Sequence, residues 1–163
     1  MKVAFLDRDG TINLDYPDEK WNLIREPKIL EGSIEGMKFL LSKGYKIIIL
    51  TNQYIIGDGI ISIEQYYEFT NKLLECLKSN GIEILDIFFC PHSKVENCDC
   101  CKPKTGMMKK VLKKYPEINL EESFFCGDSK SDMQFAKNCD LKFYGINIGK
   151  DSISNLSDLK MIL

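Results

Sequence analysis

Two carboxylates lie two residues apart near the start of the chain, in the segment Asp7-Arg8-Asp9-Gly10-Thr11. The segment follows a short, mostly apolar run from Lys2 to Leu6, and alternate residues of an extended strand share one face. Two neighbouring carboxylates repel each other unless a cation or a shared proton lies between them. Mg²⁺ favours hard oxygen ligands of this kind, and Gly10 allows the backbone to turn sharply after the pair. The segment therefore predicts a magnesium site at the end of a strand.

Further polar side chains follow the later apolar runs of the chain. Thr51 offers a hydroxyl, Asp128 offers a third carboxylate, and either Lys102 or Lys104 offers an ammonium group. In open parallel sheets, ligands bind beyond the carboxyl ends of the strands, where these residues would meet. Hydroxyl and ammonium groups suit the oxygens of a phosphoryl group, so the set predicts phosphate chemistry.

The elements that must position these residues alternate between strands and helices. Continuous β-branched runs such as Lys46 to Leu50 are typical of strands buried on both faces, and segments with apolar residues at helical spacing lie between them. This alternation predicts one α/β domain over residues 1–163, with a three-layer, Rossmann-like parallel sheet. The predicted strands are Lys2 to Leu6, Lys46 to Leu50, Leu85 to Cys90, Ser123 to Cys126 and Lys142 to Ile146. The predicted helices are Ile34 to Lys43, Ile63 to Ser79, Met107 to Tyr115 and Asp132 to Asn138.

The composition excludes several classes of protein. The chain has 163 residues, a net charge of −2 and 28% charged residues. No apolar run approaches the roughly 20 residues that span a bilayer, and the acid at Asp7 comes too early for a signal peptide. Nucleic-acid-binding domains usually carry a basic surplus, which this chain lacks. We therefore expect a cytoplasmic monomer that binds a small molecule rather than a nucleic acid or a membrane.

Taken in order, these motifs resemble those of the haloacid-dehalogenase superfamily of phosphohydrolases. The set comprises Asp-x-Asp-Gly-Thr, a threonine, a lysine and the pattern Gly127-Asp128-x-x-x-Asp132. Within the superfamily, the chain is similar to the small phosphatases that act on heptose bisphosphate and on histidinol phosphate. The resemblance runs from Lys2 to about Ile148 and implies a parallel α/β sheet with a minimal cap.

The resemblance implies a role for each matching position. Asp7 would be the nucleophile that forms an aspartyl-phosphate, and Asp9 would protonate the leaving group and then activate water. Lys102 is preferred to Lys104 because it precedes Pro103, as the family's lysine does. The phosphoryl oxygens would be held by Thr51, Asn52 and Lys102. The Mg²⁺ ligands would be the Asp7 carboxylate, the Asp9 backbone carbonyl and the Asp128 carboxylate, with Asp132 orienting them.

A second cluster of ligand-type residues contains four of the seven cysteines between Cys90 and Cys101. In a reducing compartment such clustering indicates a metal site more than disulfides. Three thiolates and one imidazole form a closed zinc site with a structural role, which would fix the loop that delivers Lys102. The predicted Zn²⁺ ligands are Cys90, His92, Cys98 and Cys100. The phosphatases named above carry the same arrangement.

Two positions depart from the family pattern and bear on the substrate. Cys101 stands where the family usually has an arginine before Lys-Pro, and Asp58 lies near a second position at which heptose-type members carry arginine. A thiol cannot bind a phosphate as a guanidinium does. We therefore predict a preference for monophosphates of polyols or amino alcohols, or of sugars, over heptose bisphosphate.

Four alternatives remain open from the sequence. A heptose bisphosphate phosphatase proper would share every catalytic motif. A nucleic-acid end phosphatase belongs to the same superfamily but fits poorly with an acidic chain. A signalling receiver domain would place an aspartate after the third strand, where this chain has Cys90-Pro91-His92. A binding protein that has lost catalysis would be expected to lack some of the motif residues.

Overall fold

The computed structural model describes residues 1–150 and 152–163. Five parallel strands form one sheet in the order β3-β2-β1-β4-β5, which confirms the predicted fold class. The strands are β1 (Val3–Leu6), β2 (Lys46–Asn52), β3 (Asp86–Cys90), β4 (Phe124–Gly127) and β5 (Lys142–Gly145). The helices are α1 (Ser33–Ser42), α2 (Tyr54–Gly57), α3 (Ile63–Ser79), α4 (Gly106–Lys114) and α5 (Lys130–Asn138).

Apolar side chains cover both faces of the sheet, as the continuous apolar strands predict. In β1 the residues alternate, so that Leu6 belongs to the core on one face and Phe5 to the core on the other. The first core is covered by α1 and α3, and the second by α4 and α5. Because both faces are covered, the polar residues of the strand ends are left at one edge, where they can form a site.

The helix α5 begins two residues before the predicted start at Asp132. Ser129 is the N-cap, because its hydroxyl oxygen accepts a hydrogen bond from the backbone N–H of Asp132 at 3.1 Å. The Asp132 carboxylate accepts in return from the backbone N–H of Ser129 at 3.1 Å, which completes a capping box. Asp132 is therefore held in the first turn of a helix that begins at the strand edge.

Three short elements were not predicted, and each borders the polar edge of the sheet. They are α2 and the 3₁₀ turns Asp18–Leu23 and Lys94–Glu96. The buried Trp21 of the first turn packs edge-on against Phe69 of α3, at a ring separation of 5.4 Å. Among the described residues, no helix is both long enough and apolar enough to cross a membrane.

Candidate active site

A cavity of about 420 Å³ opens at the carboxyl ends of β1, β2 and β4. Asp58 does not line it and is exposed beyond the end of α2, so its effect on specificity stays a prediction. Eight of the predicted site residues do line the cavity: Asp7, Asp9, Thr51, Asn52, Cys101, Lys102, Asp128 and Asp132.

A buried ammonium group links two of the carboxylates. Lys102 Nζ donates to Asp7 Oδ1 at 2.7 Å, to Asp132 Oδ1 at 2.6 Å and to the backbone carbonyl of Leu50 at 2.8 Å. Burial opposes the charge on Lys102, but the carboxylates of Asp7 and Asp132 raise its pKa above the ordinary value. Burial raises the pKa of Asp7, an effect that Lys102 opposes. The site therefore holds a fixed cation beside the predicted nucleophile.

Asn52 holds the segment that carries this lysine. Its side-chain nitrogen donates to the Lys102 carbonyl at 3.0 Å, and its oxygen accepts from the Lys102 backbone N–H at 2.8 Å. Both polar atoms of Asn52 thus contact the main chain of Lys102. A direct contact between Asn52 and a phosphoryl group stays a prediction.

The Asp9 carboxylate accepts four hydrogen bonds, two on each oxygen. Arg8 donates through Nε to Oδ1 and through Nη2 to Oδ2, each at 2.8 Å. Asn13 donates to Oδ1 at 2.9 Å, and Gln53 donates to Oδ2 at 2.8 Å. Sequence reasoning did not single out Arg8 or Gln53, although both lie inside the motifs that it used.

Three carboxylates converge where the predicted Mg²⁺ would lie. Oxygens of Asp7, Asp128 and Asp132 all fall within 4.8 Å of one another. Burial and the nearby Asp132 raise the pKa of Asp128 to about 6. A β-carbon at Gly10 would overlap the Asp128 carboxylate, and φ is +85° there, so this approach requires glycine. The all-oxygen donor set fits Mg²⁺.

The predicted zinc ligands form a separate cluster beside the cavity. The three sulfur atoms lie 3.1 to 3.6 Å apart, and the His92 Nδ1 lies 3.6 Å from Cys90 Sγ and 3.1 Å from Cys100 Sγ. A tetrahedral zinc site with Zn–S bonds near 2.3 Å separates its sulfur ligands by about 3.8 Å. The cluster therefore fits a closed Cys₃His site after a small expansion.

The outer wall of the cavity carries charges that sequence reasoning did not identify. Asp15 and Asp18 line it, and the Tyr54 hydroxyl donates to Asp18 Oδ1 at 2.9 Å. Lys94 lines it too, with its ammonium nitrogen 4.0 Å from the centre of the Tyr54 ring. Burial and the charge of Asp9 raise the pKa of Asp15. A substrate group beyond the phosphate would thus meet both signs of charge.

Comparisons with known proteins show which proteins this chain is similar to. The family model for polynucleotide kinase 3 phosphatase matches residues 2–146. A probable D-glycero-D-manno-heptose-1,7-bisphosphate 7-phosphatase of Thermoplasma volcanium is 37% identical over 147 residues, which cover 88% of this chain and 97% of that protein. The histidine biosynthesis bifunctional protein HisB of Campylobacter jejuni is 35% identical over 151 residues, covering 91% of this chain and 42% of that protein.

The fold also matches solved structures. A D,D-heptose 1,7-bisphosphate phosphatase from B. bronchiseptica, solved with magnesium and phosphate, superposes with a TM-score of 0.85 at 23% identity. The superposition covers 99% of this chain and 97% of that one.

Proposed function

This chain belongs to the polynucleotide kinase 3 phosphatase family of the haloacid-dehalogenase superfamily and is a phosphatase, and we propose that it is a Mg²⁺-dependent phosphomonoesterase of a small phosphorylated metabolite. The observation that carries this proposal is the contact between Asp7 and the buried Lys102 at the floor of the cavity, with Asp128 within metal-binding reach. A carboxylate beside a fixed ammonium group suits attack on a negatively charged phosphoryl group.

The proposed reaction has two displacements at phosphorus. An Asp7 oxygen forms a bond to phosphorus while the bond to the substrate oxygen breaks, and Asp9 gives that oxygen its proton. Asp9 then takes a proton from water, whose oxygen attacks phosphorus and releases Asp7 together with inorganic phosphate. Lys102 and Thr51 hold the phosphoryl oxygens throughout.

The two metals have different proposed roles. Mg²⁺, when bound, would supply positive charge to the phosphoryl group, and Asp7, the Asp9 backbone carbonyl and Asp128 would hold it. Asp132 holds Lys102 next to this site. Zn²⁺ would have a structural role and would be held by Cys90, His92, Cys98 and Cys100. We propose a cytoplasmic location, which would keep these thiols reduced.

We propose a sugar bisphosphate of the heptose 1,7-bisphosphate type as the substrate. The relative from Thermoplasma volcanium whose name includes this compound matches over nearly its whole length. The expected preference for monophosphates rested on two missing arginines, yet Lys94 lines the cavity and offers an ammonium group to a second phosphate. We therefore revise that expectation.

Histidinol phosphate is the second candidate substrate. Asp15 and Asp18 on the cavity wall suit a substrate with an ammonium group, and a HisB protein is among the relatives. The same two acids disfavour a nucleic-acid backbone, although the matched family is named for polynucleotides.

The experiment that tests the phosphatase proposal measures phosphate release with and without Mg²⁺. The panel comprises heptose 1,7-bisphosphate, histidinol phosphate, glycerol 2-phosphate and a 3′-phosphorylated oligonucleotide. Asp7→Asn should abolish turnover, and Asp9→Asn should slow it by roughly 10² to 10⁴. Asp140→Asn is the matched control, because Asp140 is exposed and its φ of 53° suits asparagine. Near-wild-type kcat in Asp7→Asn would rule out the assigned nucleophile.

A further inference from the structure

The side chain of Arg8 lies in a pocket of aromatic rings although it belongs to the catalytic motif. It is 2% exposed, and its guanidinium carbon lies 4.8 Å from the ring centre of Phe69. The corresponding distances to Tyr66 and Trp21 are 5.6 and 5.7 Å. Burying a charge costs several kcal/mol unless it is paired, and aromatic faces offset part of that cost. The pocket therefore fixes where the guanidinium lies.

The charge of Arg8 is paired with Asp9. Two parallel hydrogen bonds of 2.8 Å join the guanidinium to both carboxylate oxygens. A bidentate pair of this kind fixes the plane of the carboxylate as well as its position. The other two donors to Asp9 are single bonds from Asn13 and Gln53, one to each oxygen, which do not define that plane as strongly.

The aromatic pocket is built from elements that carry none of the predicted metal or phosphate ligands. Trp21 comes from the turn Asp18–Leu23, whereas Tyr66 and Phe69 come from α3. The remaining contact of the guanidinium is a long one, from Nη1 to the Thr70 hydroxyl at 3.5 Å. The orientation of Asp9 thus depends on how α3 packs, through Arg8.

We propose that Arg8 is a positioning residue that holds the Asp9 carboxylate for proton delivery to the leaving group, an inference that rests on the proposed function. Its effect on turnover passes through Asp9, while Lys102 and Thr51 bind the phosphoryl group independently. Loss of Arg8 should therefore slow substrates that need a proton on the leaving oxygen more than substrates that do not.

The test compares kcat/KM for glycerol 2-phosphate, an alkyl ester, with that for 4-nitrophenyl phosphate, whose leaving group departs without a proton. This ratio reports only the steps through aspartyl-phosphate formation, so water activation does not enter it. Arg8→Lys and Arg8→Met should lower kcat/KM for the alkyl ester about 10- to 100-fold more than for the aryl ester. Inhibition by inorganic phosphate should stay unchanged, and Thr70→Val should keep the wild-type selectivity.

Asp9→Asn and the double variant Arg8→Met/Asp9→Asn distinguish a failure of the Arg8 inference from a failure of the proposed role of Asp9. If Arg8 acts through Asp9, then Arg8→Met should add no further selective loss in the Asp9→Asn protein. If Asp9→Asn does not lower kcat/KM for the alkyl ester more than for the aryl ester, Asp9 is not the proton donor and the proposed mechanism is wrong. If Asp9→Asn is selective but both Arg8 variants slow the two esters equally, the Arg8 inference is overturned. If Arg8→Met does not fold, the ratio of kcat/KM for the two esters is measured on Arg8→Lys instead.

Discussion

The charged side chains at the floor of the cavity do not balance one another without a metal ion. When all four carboxylates around Arg8 and Lys102 are ionised, the two cations leave an excess of two negative charges. One Mg²⁺ would balance that excess, which is a physical reason for the metal dependence that we propose. The four carboxylates are Asp7, Asp9, Asp128 and Asp132.

Lys102→Met should destabilise the metal-free protein by about 3–5 kcal/mol, because it leaves Asp7 and Asp132 without their shared cation. Added Mg²⁺ should restore part of this stability. Urea denaturation with and without Mg²⁺ measures both effects. Lys109→Met on the exposed side of α4 is the control and should change stability by less than about 0.5 kcal/mol. A Lys102→Met protein as stable as the control would mean that the buried ion pairs contribute little.

Asp128 should make the metal-free protein less stable as the pH rises. Its pKa in the folded protein is about 6, above the roughly 3.9 of an unfolded aspartate, so the folded state holds the proton more tightly. The stabilisation is therefore fully present below about pH 4 and is lost as the pH rises through 6.

At pH 7 the partly buried Asp128 carboxylate costs stability because it is ionised, and Asp128→Asn should remove that cost, which is about 1 kcal/mol after solvent screening. The Tm of the metal-free protein at pH 7 should therefore rise by about 2–4 °C. The same substitution should also abolish the rise in Tm that Mg²⁺ produces. Thermal unfolding at several pH values, with Asp140→Asn alongside, measures this. Parallel pH profiles for wild type and Asp128→Asn would contradict the prediction.

The sequence indicated the residues of the cavity floor because each has a distinct chemical type at a strand end, as Asp7 and Thr51 do. It did not indicate Lys94, because a lysine among polar residues is ordinary until the fold brings it to the cavity. It did not indicate the partner of Arg8 either, since an arginine beside two aspartates is compatible with several pairings.

At the scale of elements, the strands were predictable because each is a continuous apolar run. At the start of α3, Ser62 and Gln65 exchange hydrogen bonds as a capping box, and a serine three residues before a glutamine is typical of a helix start. The short turn Asp18–Leu23 and the four-residue α2 were not predictable, because elements this short show no helical period. Their positions depend on tertiary packing, such as that of Trp21 against Phe69.

The segment from Cys90 to Cys100 that carries the predicted zinc ligands, here called the zinc loop, should control the placement of Lys102, which follows Cys100 by two residues. We expect about one Zn²⁺ per chain, and Cys98→Ser should lower both the zinc content and the Tm. It should also weaken inhibition by inorganic phosphate, because Lys102 loses its fixed position. Elemental analysis, thermal unfolding and inhibition assays measure these effects.

Cys76→Ser is the matched control for the zinc loop, because Cys76 is partly exposed on α3 and lies outside the cluster. It should leave zinc content and phosphate inhibition as in wild type. Zinc-free protein with an unchanged Tm and full activity would show that the thiols do not hold a structural metal.

At the scale of the whole molecule, substrate choice depends on the short elements that surround the cavity. Asp18 and Lys94 come from two different 3₁₀ turns, and Tyr54 of α2 contacts both. Opposite charges at the same mouth can select for either a second phosphate or an ammonium group, since a charged hydrogen bond contributes about 1.5–3 kcal/mol before screening. The residues at the cavity floor are predicted to contact only the reacting phosphate, which both substrates carry, so we expect them not to discriminate between the two.

Substitutions at the cavity wall should therefore separate the two candidate substrates. If heptose 1,7-bisphosphate is the substrate, Lys94→Met should lower its kcat/KM about tenfold, because the second phosphate loses its cation, while glycerol 2-phosphate changes little. Cys101→Arg should raise kcat/KM for the bisphosphate by adding a guanidinium where Cys101 lines the cavity. Asp18→Asn, which keeps an acceptor for the Tyr54 hydroxyl, should leave or improve that activity. A wild-type preference for histidinol phosphate that Asp18→Asn reduces tenfold would instead establish the acidic wall as an ammonium site.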